Sequence, residues 1–201
     1  MRRGFSVLVF IIVAALLTGC APKKTARVRL KTDLGDIIIE VYKDKAPKSA
    51  ADFLYYVDNG LYDGQGFYRA VRPETDPLHM GMQIIQGGRL DQNPLTATID
   101  HETTKMTGLS HTDGAVSLAR DEPGTGSAAY FFISIGDNTF LDYGGKRNPD
   151  GQGYAVFGQV VKGMDVVRAI QMRETGGPSK DAITQGQFLT KPVIIHKASR
   201  D

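Results

Sequence analysis

The pattern of apolar and polar positions along the chain predicts a domain built mainly of β-strands. Short runs that are apolar, or that alternate with polar residues between turn-forming residues, are typical of strands. They fall at residues 28–30, 37–41, 67–71, 83–88, 114–119, 130–133, 154–161 and 192–196. Two stretches, 47–58 and 164–172, instead carry apolar residues at helical spacing. Many short strands and two separated helices predict a closed antiparallel β-barrel with helices plugging its ends.

The run Tyr130-Phe131-Phe132-Ile133 predicts a short aromatic strand. Successive side chains of a strand point to opposite faces, so Phe131 and Phe132 meet different surroundings. We expect Phe131 to fill the core and Phe132 to form the floor of a surface pocket, although two core aromatics would also fit the pattern.

The first residues are typical of a cleaved signal peptide. Arg2 and Arg3 precede an unbroken apolar run of eleven residues at 7–17, which is shorter than the roughly 20 that a spanning helix needs. The run ends in Leu17-Thr18-Gly19-Cys20, which resembles the bacterial lipoprotein signal and implies cleavage before Cys20 and lipidation of its thiol. An ordinary signal with an incidental cysteine is the alternative. The predicted domains are a signal peptide at 1–19, a tether at 20–27 and one folded domain at 28–198.

Charge and composition argue against several kinds of partner. The chain has 24 basic and 22 acidic residues, and cleavage would remove Arg2 and Arg3, which leaves 22 of each sign. A neutral domain gives no reason to expect nucleic acid as a partner. Cys20 is the one cysteine, and the four histidines show no close ligand spacing. We therefore expect no internal disulfide and no metal.

Seven segments form an ordered set along the chain. They are Gly66-Phe67-Tyr68-Arg69, Gln86-Gly87-Gly88, Val116-Ser117-Leu118-Ala119-Arg120, residues 127–133, Phe140-Leu141-Asp142, Tyr154-Ala155-Val156-Phe157-Gly158 and residues 161–167. Together they resemble the cyclophilin-type peptidyl-prolyl cis-trans isomerases, with the bacterial periplasmic branch as the nearest match. The resemblance covers about residues 28–198. It implies a closed eight-stranded antiparallel β-barrel capped by two α-helices, and an enzyme that works as a monomer without a cofactor.

The resemblance also implies a site. Arg69 matches the family's catalytic arginine, Phe132 the floor of its proline pocket, and Gln86 the polar residue that binds the substrate backbone. The implied substrate-binding residues are Ile84, Phe140, Leu141 and Tyr154 in the pocket walls, and Ala119 and Arg120 beside the peptide.

Two departures from the family pattern lie between Arg69 and Gln86. Gln83 stands where the family usually has an aromatic pocket residue, which predicts a loss of about 1–2 kcal/mol of apolar contact. The spacer is also longer than usual, and its extra residues at 72–80 are expected beside the pocket.

The resemblance implies that the protein isomerises Xaa–Pro bonds in proline-containing polypeptides during the folding of exported proteins. Gln83 keeps open the alternative of a non-catalytic chaperone that binds proline peptides on the same fold. The lipid at Cys20 would anchor the protein in the cell envelope, and Ala21 after it gives no sign of retention at the inner membrane. The expected location is the outer membrane, facing the periplasm.

Overall fold

The computed structural model describes residues 24–91, 93–179 and 181–201, so the predicted signal peptide and Cys20 lie outside the described residues. The strands are β1 (Thr25–Thr32), β2 (Gly35–Tyr42), β3 (Gly66–Val71), β4 (Ile84–Gly88), β5 (Ala115–Leu118), β6 (Tyr130–Ser134), β7 (Ala155–Lys162) and β8 (Phe188–Arg200). The helices are α1 (Pro47–Asp58), α2 (Thr104–Thr107) and α3 (Met164–Gln171). Short 3₁₀ turns lie at Pro73–Thr75, Thr139–Leu141 and Ala182–Thr184.

The eight strands form one closed antiparallel barrel in the order β1-β2-β7-β5-β6-β4-β3-β8. The last strand closes it, because β8 pairs with β1 through Ala198 and Leu30 and with β3 through Ile194 and Gly66. Each strand therefore has a neighbour on both sides. The predicted mainly β fold, a closed eight-stranded antiparallel barrel, is confirmed.

The described residues contain three α-helices, one more than the two predicted. The additional helix α2 is a single turn between β4 and β5, where the sequence pattern predicts neither a strand nor a helix. The Thr103 side chain caps its start by accepting a hydrogen bond from the Met106 backbone N–H at 3.3 Å. Gly108, with φ 68°, ends it in the left-handed region. Four residues are too few to show a helical period, so the pattern missed this turn.

Helix α1 packs its apolar face into the barrel core. The ring of Phe53 lies 4.9–5.5 Å, centroid to centroid, from the rings of Tyr62, Phe131 and Phe157. All four side chains are fully buried, and the tilted and edge-on geometries are those that aromatic pairs prefer. This aromatic cluster joins the helix to β6 and β7.

Two apolar clusters divide the side chains of β6 between them. Phe131 is fully buried in the main core, as its position in the strand predicts. Phe132 belongs to a second, smaller cluster with Val71, Met82, Ile84 and Leu141. This cluster and the main core have no buried residue in common. The alternation of the strand therefore sends the two phenylalanines to different places.

Both ends of the domain are more ordered than the pattern predicts. Strand β1 already begins at Thr25, which pairs with Tyr42, so residues 25–27 of the predicted tether belong to the barrel. Strand β8 extends well beyond the predicted 192–196 on both sides. Among the described residues, no helix has the length and apolarity needed to cross a membrane.

Candidate active site

A cavity of about 550 Å³ opens beside β3, β4 and β6. Eight of the nine substrate-site residues predicted from the sequence line it, namely Arg69, Ile84, Gln86, Ala119, Arg120, Phe132, Leu141 and Tyr154. Nine further lining residues were not predicted: Tyr68, Met82, Pro94, Asp121, Thr125, Tyr130, Arg147, Thr184 and Phe188. Tyr68 and Tyr130 stand in matched segments and Met82 lies two residues before Ile84, so these three had a signal. The other six have no pattern that could have identified them.

Strand register brings the three central residues together. Arg69 of β3 lies opposite Gln86 of β4, and Gln86 lies opposite Phe132 of β6. Opposed residues on neighbouring strands point to the same face with Cβ atoms roughly 4.5–5.5 Å apart. A guanidinium, a carboxamide and an aromatic ring therefore form one row across three strands, although they are far apart in the sequence.

A bulge in β3 turns a further side chain toward the same row. The pairing of β3 with β4 shifts between Phe67 and Arg69, which leaves Tyr68 as the extra residue. A β-bulge redirects side chains from their strict alternation. Tyr68 and Arg69 are adjacent in the sequence, yet both line the cavity.

Two glycines after Gln86 fix the packing of β4. A Cβ atom on Gly87 would lie 2.7 Å from the Phe67 ring, and one on Gly88 would lie 2.0 Å from the Ala129 carbonyl oxygen. Gly88 also has φ 126°, which side-chain-bearing residues rarely adopt. The strand can approach its neighbours this closely only without side chains, and this approach sets the position of Gln86.

Hydrogen bonds from two glutamines hold the guanidinium of Arg69. Its Nη1 donates to Gln86 Oε1 at 2.7 Å, and its Nε and Nη2 donate to Gln187 Oε1 at 2.8 and 2.6 Å. A guanidinium has five N–H donors, so one on each of Nη1 and Nη2 has no acceptor among the described residues. These two N–H groups are the ones available to a bound substrate.

The charge of Arg69 is held in a half-buried setting. Burial lowers the pKa of Arg69 from its ordinary value, and the nearby Arg147 guanidinium lowers it further. No described carboxylate lies within ion-pair distance of Arg69. A guanidinium that keeps its charge without a carboxylate can direct that charge at a ligand.

Gln86 and Tyr68 complete the polar edge of the cavity. Gln86 Nε2 donates to the Tyr68 hydroxyl at 3.0 Å while its oxygen accepts from Arg69. The Tyr68 ring stacks on Phe188 at 6.1 Å. The Gln86 carboxamide is therefore oriented from both ends, and it retains one N–H for a substrate carbonyl.

The apolar floor consists of Phe132 and its cluster. Tyr154 packs edge-on against Phe132 at 5.3 Å and 86°. Met82, only 4% exposed, lines the cavity beside Ile84, whereas Gln83 does not line it. The predicted loss of apolar contact at Gln83 was therefore wrong, because Met82 supplies an apolar side chain to the pocket.

The sequence predicts neither the position of Phe140 nor the contacts of Arg120 correctly. Phe140 does not line the cavity, although it packs against the apolar cluster beneath it. Arg120 lines the cavity with its guanidinium already engaged: Nη1 and Nη2 each donate to Asp150 at 2.9 Å. Its guanidinium also lies 5.4 Å from the centre of the Tyr154 ring. Arg120 thus ties the loop after Leu141 to the wall.

Segment 72–80 lies beside the cavity, as the sequence predicts. Its Asp76 is buried and forms an ion pair with Arg147, a lining residue, at 2.7 Å. Burial would raise the pKa of Asp76, but hydrogen bonds from the Met82 backbone and Arg147 hold it below its ordinary value. The Asp76 carboxylate therefore binds segment 72–80 to the loop that carries Arg147 and to the backbone of Met82, the residue before Gln83.

A Ser–His–Asp arrangement lies beneath the floor and does not reach the cavity. His111 Nε2 is 2.9 Å from Ser117 Oγ, and His111 Nδ1 is 2.5 Å from Asp142 Oδ1. Ser117 and His111 are fully buried, and the imidazole stacks against Phe132 at 5.7 Å. A hydrolytic nucleophile must meet its substrate, so this network supports the floor instead. No group of three or more potential metal ligands occurs in the described ranges.

Comparisons with known proteins agree with this architecture. Residues 27–199 match the model of the family described as cyclophilin type peptidyl-prolyl cis-trans isomerase. A peptidyl-prolyl cis-trans isomerase of Acinetobacter baylyi is 38% identical over 81% of this chain and 80% of its own length. Isomerase B of Escherichia coli is 36% identical over 74% of this chain and 86% of its own length.

A solved structure shows the same fold at lower sequence similarity. It is a cyclophilin-type isomerase of Cryptosporidium parvum, determined in the presence of the dipeptide Ala-Pro. The alignment has a TM-score of 0.65 and 22% identity, and it covers 87% of this chain and 98% of the other. The family match and the bacterial relatives show that the chain belongs to the cyclophilin-type peptidyl-prolyl cis-trans isomerases.

Proposed function

We propose that this protein isomerises Xaa–Pro bonds in exported proteins while they fold, and that Arg69 assists the twist of the prolyl amide. The observation that carries the proposal is the row of Arg69, Gln86 and Phe132 along one cavity, with two guanidinium N–H groups free for a substrate. The Cryptosporidium parvum structure was determined in the presence of the dipeptide Ala-Pro, which supports proline-containing peptides as substrates.

The chemical task is rotation about a partial double bond. Resonance gives the peptide bond a rotation barrier of about 18–20 kcal/mol, and uncatalysed Xaa–Pro exchange takes tens to hundreds of seconds. In the twisted state the resonance is lost and the prolyl nitrogen regains a lone pair. An enzyme accelerates the exchange only through interactions that are stronger in this state than in either planar one.

Arg69 fits that requirement. An N–H of its guanidinium donates to the prolyl nitrogen when the lone pair appears, and this hydrogen bond is weak in both planar states. Because the group is already held by Gln86 and Gln187, little reorganisation is needed during the reaction. The apolar floor of Phe132 and Met82 holds the proline ring, and the remaining Gln86 N–H holds a backbone carbonyl.

The proposal is tested with an Ala-Pro-Phe peptide in a protease-coupled assay. Arg69→Ala should lower kcat/KM by about a hundredfold, a usual cost of removing one preorganised donor. Arg168→Ala is the matched control, because Arg168 of helix α3 forms an ion pair with Asp113, just before β5, and does not line the cavity. If the wild-type protein isomerises the peptide no faster than buffer alone, the remaining function is that of a proline-binding chaperone. Gln83 no longer favours that alternative, since Met82 lines the pocket.

We infer the location from the sequence before the barrel. The signal-like run at 7–17 and Cys20 support export, lipidation and anchoring in the outer membrane. Two or more acyl chains hold a protein stably at a membrane, since each buried CH₂ contributes about 0.8 kcal/mol. Labelling cells with radioactive palmitate should mark the wild type and leave Cys20→Ala unlabelled. Label that persists in Cys20→Ala would contradict this assignment.

A further inference from the structure

We propose that Gln187 is the positioning residue of Arg69, and that segment 72–80 acts on the reaction through it. The inference rests on the proposed function, because it assigns the orientation of the arginine that assists the twist. Gln187 is fully buried and does not line the cavity. It therefore acts on a substrate only through Arg69.

The Gln187 carboxamide uses its full hydrogen-bonding capacity. Its oxygen accepts from Nε and Nη2 of Arg69, and its Nε2 donates to the Thr75 carbonyl at 2.7 Å and the Ile183 carbonyl at 3.1 Å. Turning the amide over would set its NH₂ against a guanidinium and its oxygen against two carbonyl oxygens. Only one orientation is compatible with these partners, so the guanidinium meets its acceptor in one place.

Both carbonyls that orient Gln187 come from 3₁₀ turns. Thr75 ends the turn Pro73–Thr75 in segment 72–80, and Ile183 is the centre of the turn Ala182–Thr184. The Gln187 backbone carbonyl also accepts from the N–H of Ala70, the residue after Arg69, at 2.9 Å. Gln187 thus joins strand β3 to two loops next to the position of Arg69 in the strand.

The first of these turns is itself firmly fixed. The Arg72 guanidinium donates to the backbone carbonyl of Gln171, the last residue of helix α3, at 3.1 Å and to that of Arg173 at 2.8 Å. Directly after the turn, buried Asp76 forms its ion pair with Arg147. The extra residues of this spacer therefore form a fixed support. It contacts the cavity lining directly at Arg147, and it reaches Arg69 through Gln187.

The size of the effect follows from the chemistry. A long arginine side chain has many rotamers, and a displacement of about 1 Å at a catalytic group can cost about a hundredfold in rate. Without Gln187, one hydrogen bond to Gln86 would hold the guanidinium. We expect the rate of isomerisation to fall while the floor of the pocket, and thus the affinity for peptide, is retained.

The test compares Gln187→Met with Gln171→Met. Methionine keeps the shape of glutamine and removes its hydrogen bonds. Gln171 is also a buried glutamine, only 5% exposed, and it anchors the same strand by donating to the Val71 carbonyl at 2.9 Å, but it does not touch Arg69. Exchange NMR gives kcat and KM for each variant with the Ala-Pro-Phe peptide.

Gln187→Met should lower kcat by about tenfold or more with KM within about twofold of wild type, and Gln171→Met should leave kcat unchanged. The Arg69 Nε–Hε resonance, assigned by its loss in Arg69→Lys, should shift in Gln187→Met only. Equal kcat in the two glutamine variants, or an unshifted resonance, would overturn the inference. An inactive wild type would instead refute the proposed function.

A measurement on the wild type keeps the inference testable if Gln187→Met fails to fold. The Arg69 Hε should exchange with solvent at least about tenfold more slowly than the Arg168 Hε, because the first is hydrogen-bonded in a buried network. Arg168 uses only its Nη atoms, in exposed contacts. Exchange of the Arg69 Hε as fast as that of Arg168 would refute the positioning role.

Discussion

Met82 and Gln83 are neighbours with opposite positions relative to the pocket. Met82→Ala should weaken peptide binding by about five- to thirtyfold, the equivalent of losing about 1–2 kcal/mol of apolar contact. Gln83→Ala should leave binding unchanged, since only its neighbour lines the cavity. Titration of both variants with a proline peptide, followed by NMR, provides the measurement. A larger loss of affinity in Gln83→Ala than in Met82→Ala would show that Gln83 is the pocket residue, as the sequence predicts.

Strand periodicity decides which site residues the sequence can predict. Alternation along one strand separates Phe131 from Phe132, and it relates Ile84 to Gln86. It contains nothing about Gln187, which contacts Arg69 from 118 residues away. Such a partner is chosen by barrel closure and by loop conformation, so no local pattern indicates it.

The buried His111 should make stability depend on pH. Burial lowers the pKa of His111 from its ordinary 6.5. Burial would raise the pKa of Asp142, but hydrogen bonds from His111 and Ser110 lower it. At both groups the unfolded chain binds protons before the folded protein does, so the free energy of unfolding decreases as the pH falls below about 6.5.

His111→Asn should flatten this dependence between pH 6.5 and 5, where one such proton contributes at most about 1.4 kcal/mol per pH unit. Half-buried His101 has a pKa lowered by burial in the same way and preserves part of the slope. Urea unfolding at a series of pH values measures the effect. The exposed His196→Asn is the control, and an equal slope in both variants would contradict the assignment.

Helix α1 depends on a carboxylate from a distant loop. Ala46, the residue before the helix, has no side-chain hydrogen bond to its first turn. Glu102 supplies the missing cap. Its carboxylate accepts from the backbone N–H of Lys48 at 3.1 Å and of Ser49 at 2.8 Å, and from the Ser49 hydroxyl at 2.7 Å. A negative group at a helix N-terminus satisfies the free N–H donors and interacts well with the helix dipole.

Glu102→Ala should therefore lower the free energy of unfolding by about 1–2 kcal/mol, the usual cost of losing a helix cap. Glu122→Ala, in the exposed loop before β6, is the control and should have little effect. Urea denaturation of both variants gives the comparison. Equal stabilities would show that the helix begins without help from Glu102.

Element boundaries show where the pattern of the sequence loses information. The period of two identified the centre of β8, but buried positions along it are interrupted by the exposed runs Thr190-Lys191-Pro192 and His196-Lys197. The strand continues through both interruptions because it has partners on each side. Pairing across the barrel, which no local window contains, extends β8 to thirteen residues.

The barrel is closed by its first and last strands, β1 and β8. The last residues of β8 pair with β1, from Leu30 and Ala198 to Val28 and Arg200. Deleting residues 198–201 should remove these pairs and lower the free energy of unfolding by roughly 2–4 kcal/mol, at about 1 kcal/mol for each backbone hydrogen bond. Arg200→Ala, which removes only the exposed ion pair with Asp58, should change it much less. Thermal unfolding distinguishes the two, and similar melting temperatures would contradict the importance of the closure.

The complete pairing of the strands has a further consequence for contact with unfolded polypeptides. Aggregation spreads when an exposed strand offers its unused backbone groups as a template to another polypeptide. Here β1 and β8, the strands that would otherwise stand at the margins, use those groups on each other. An unfolded polypeptide beside the barrel therefore finds no open strand edge in the described residues to extend into a fibril.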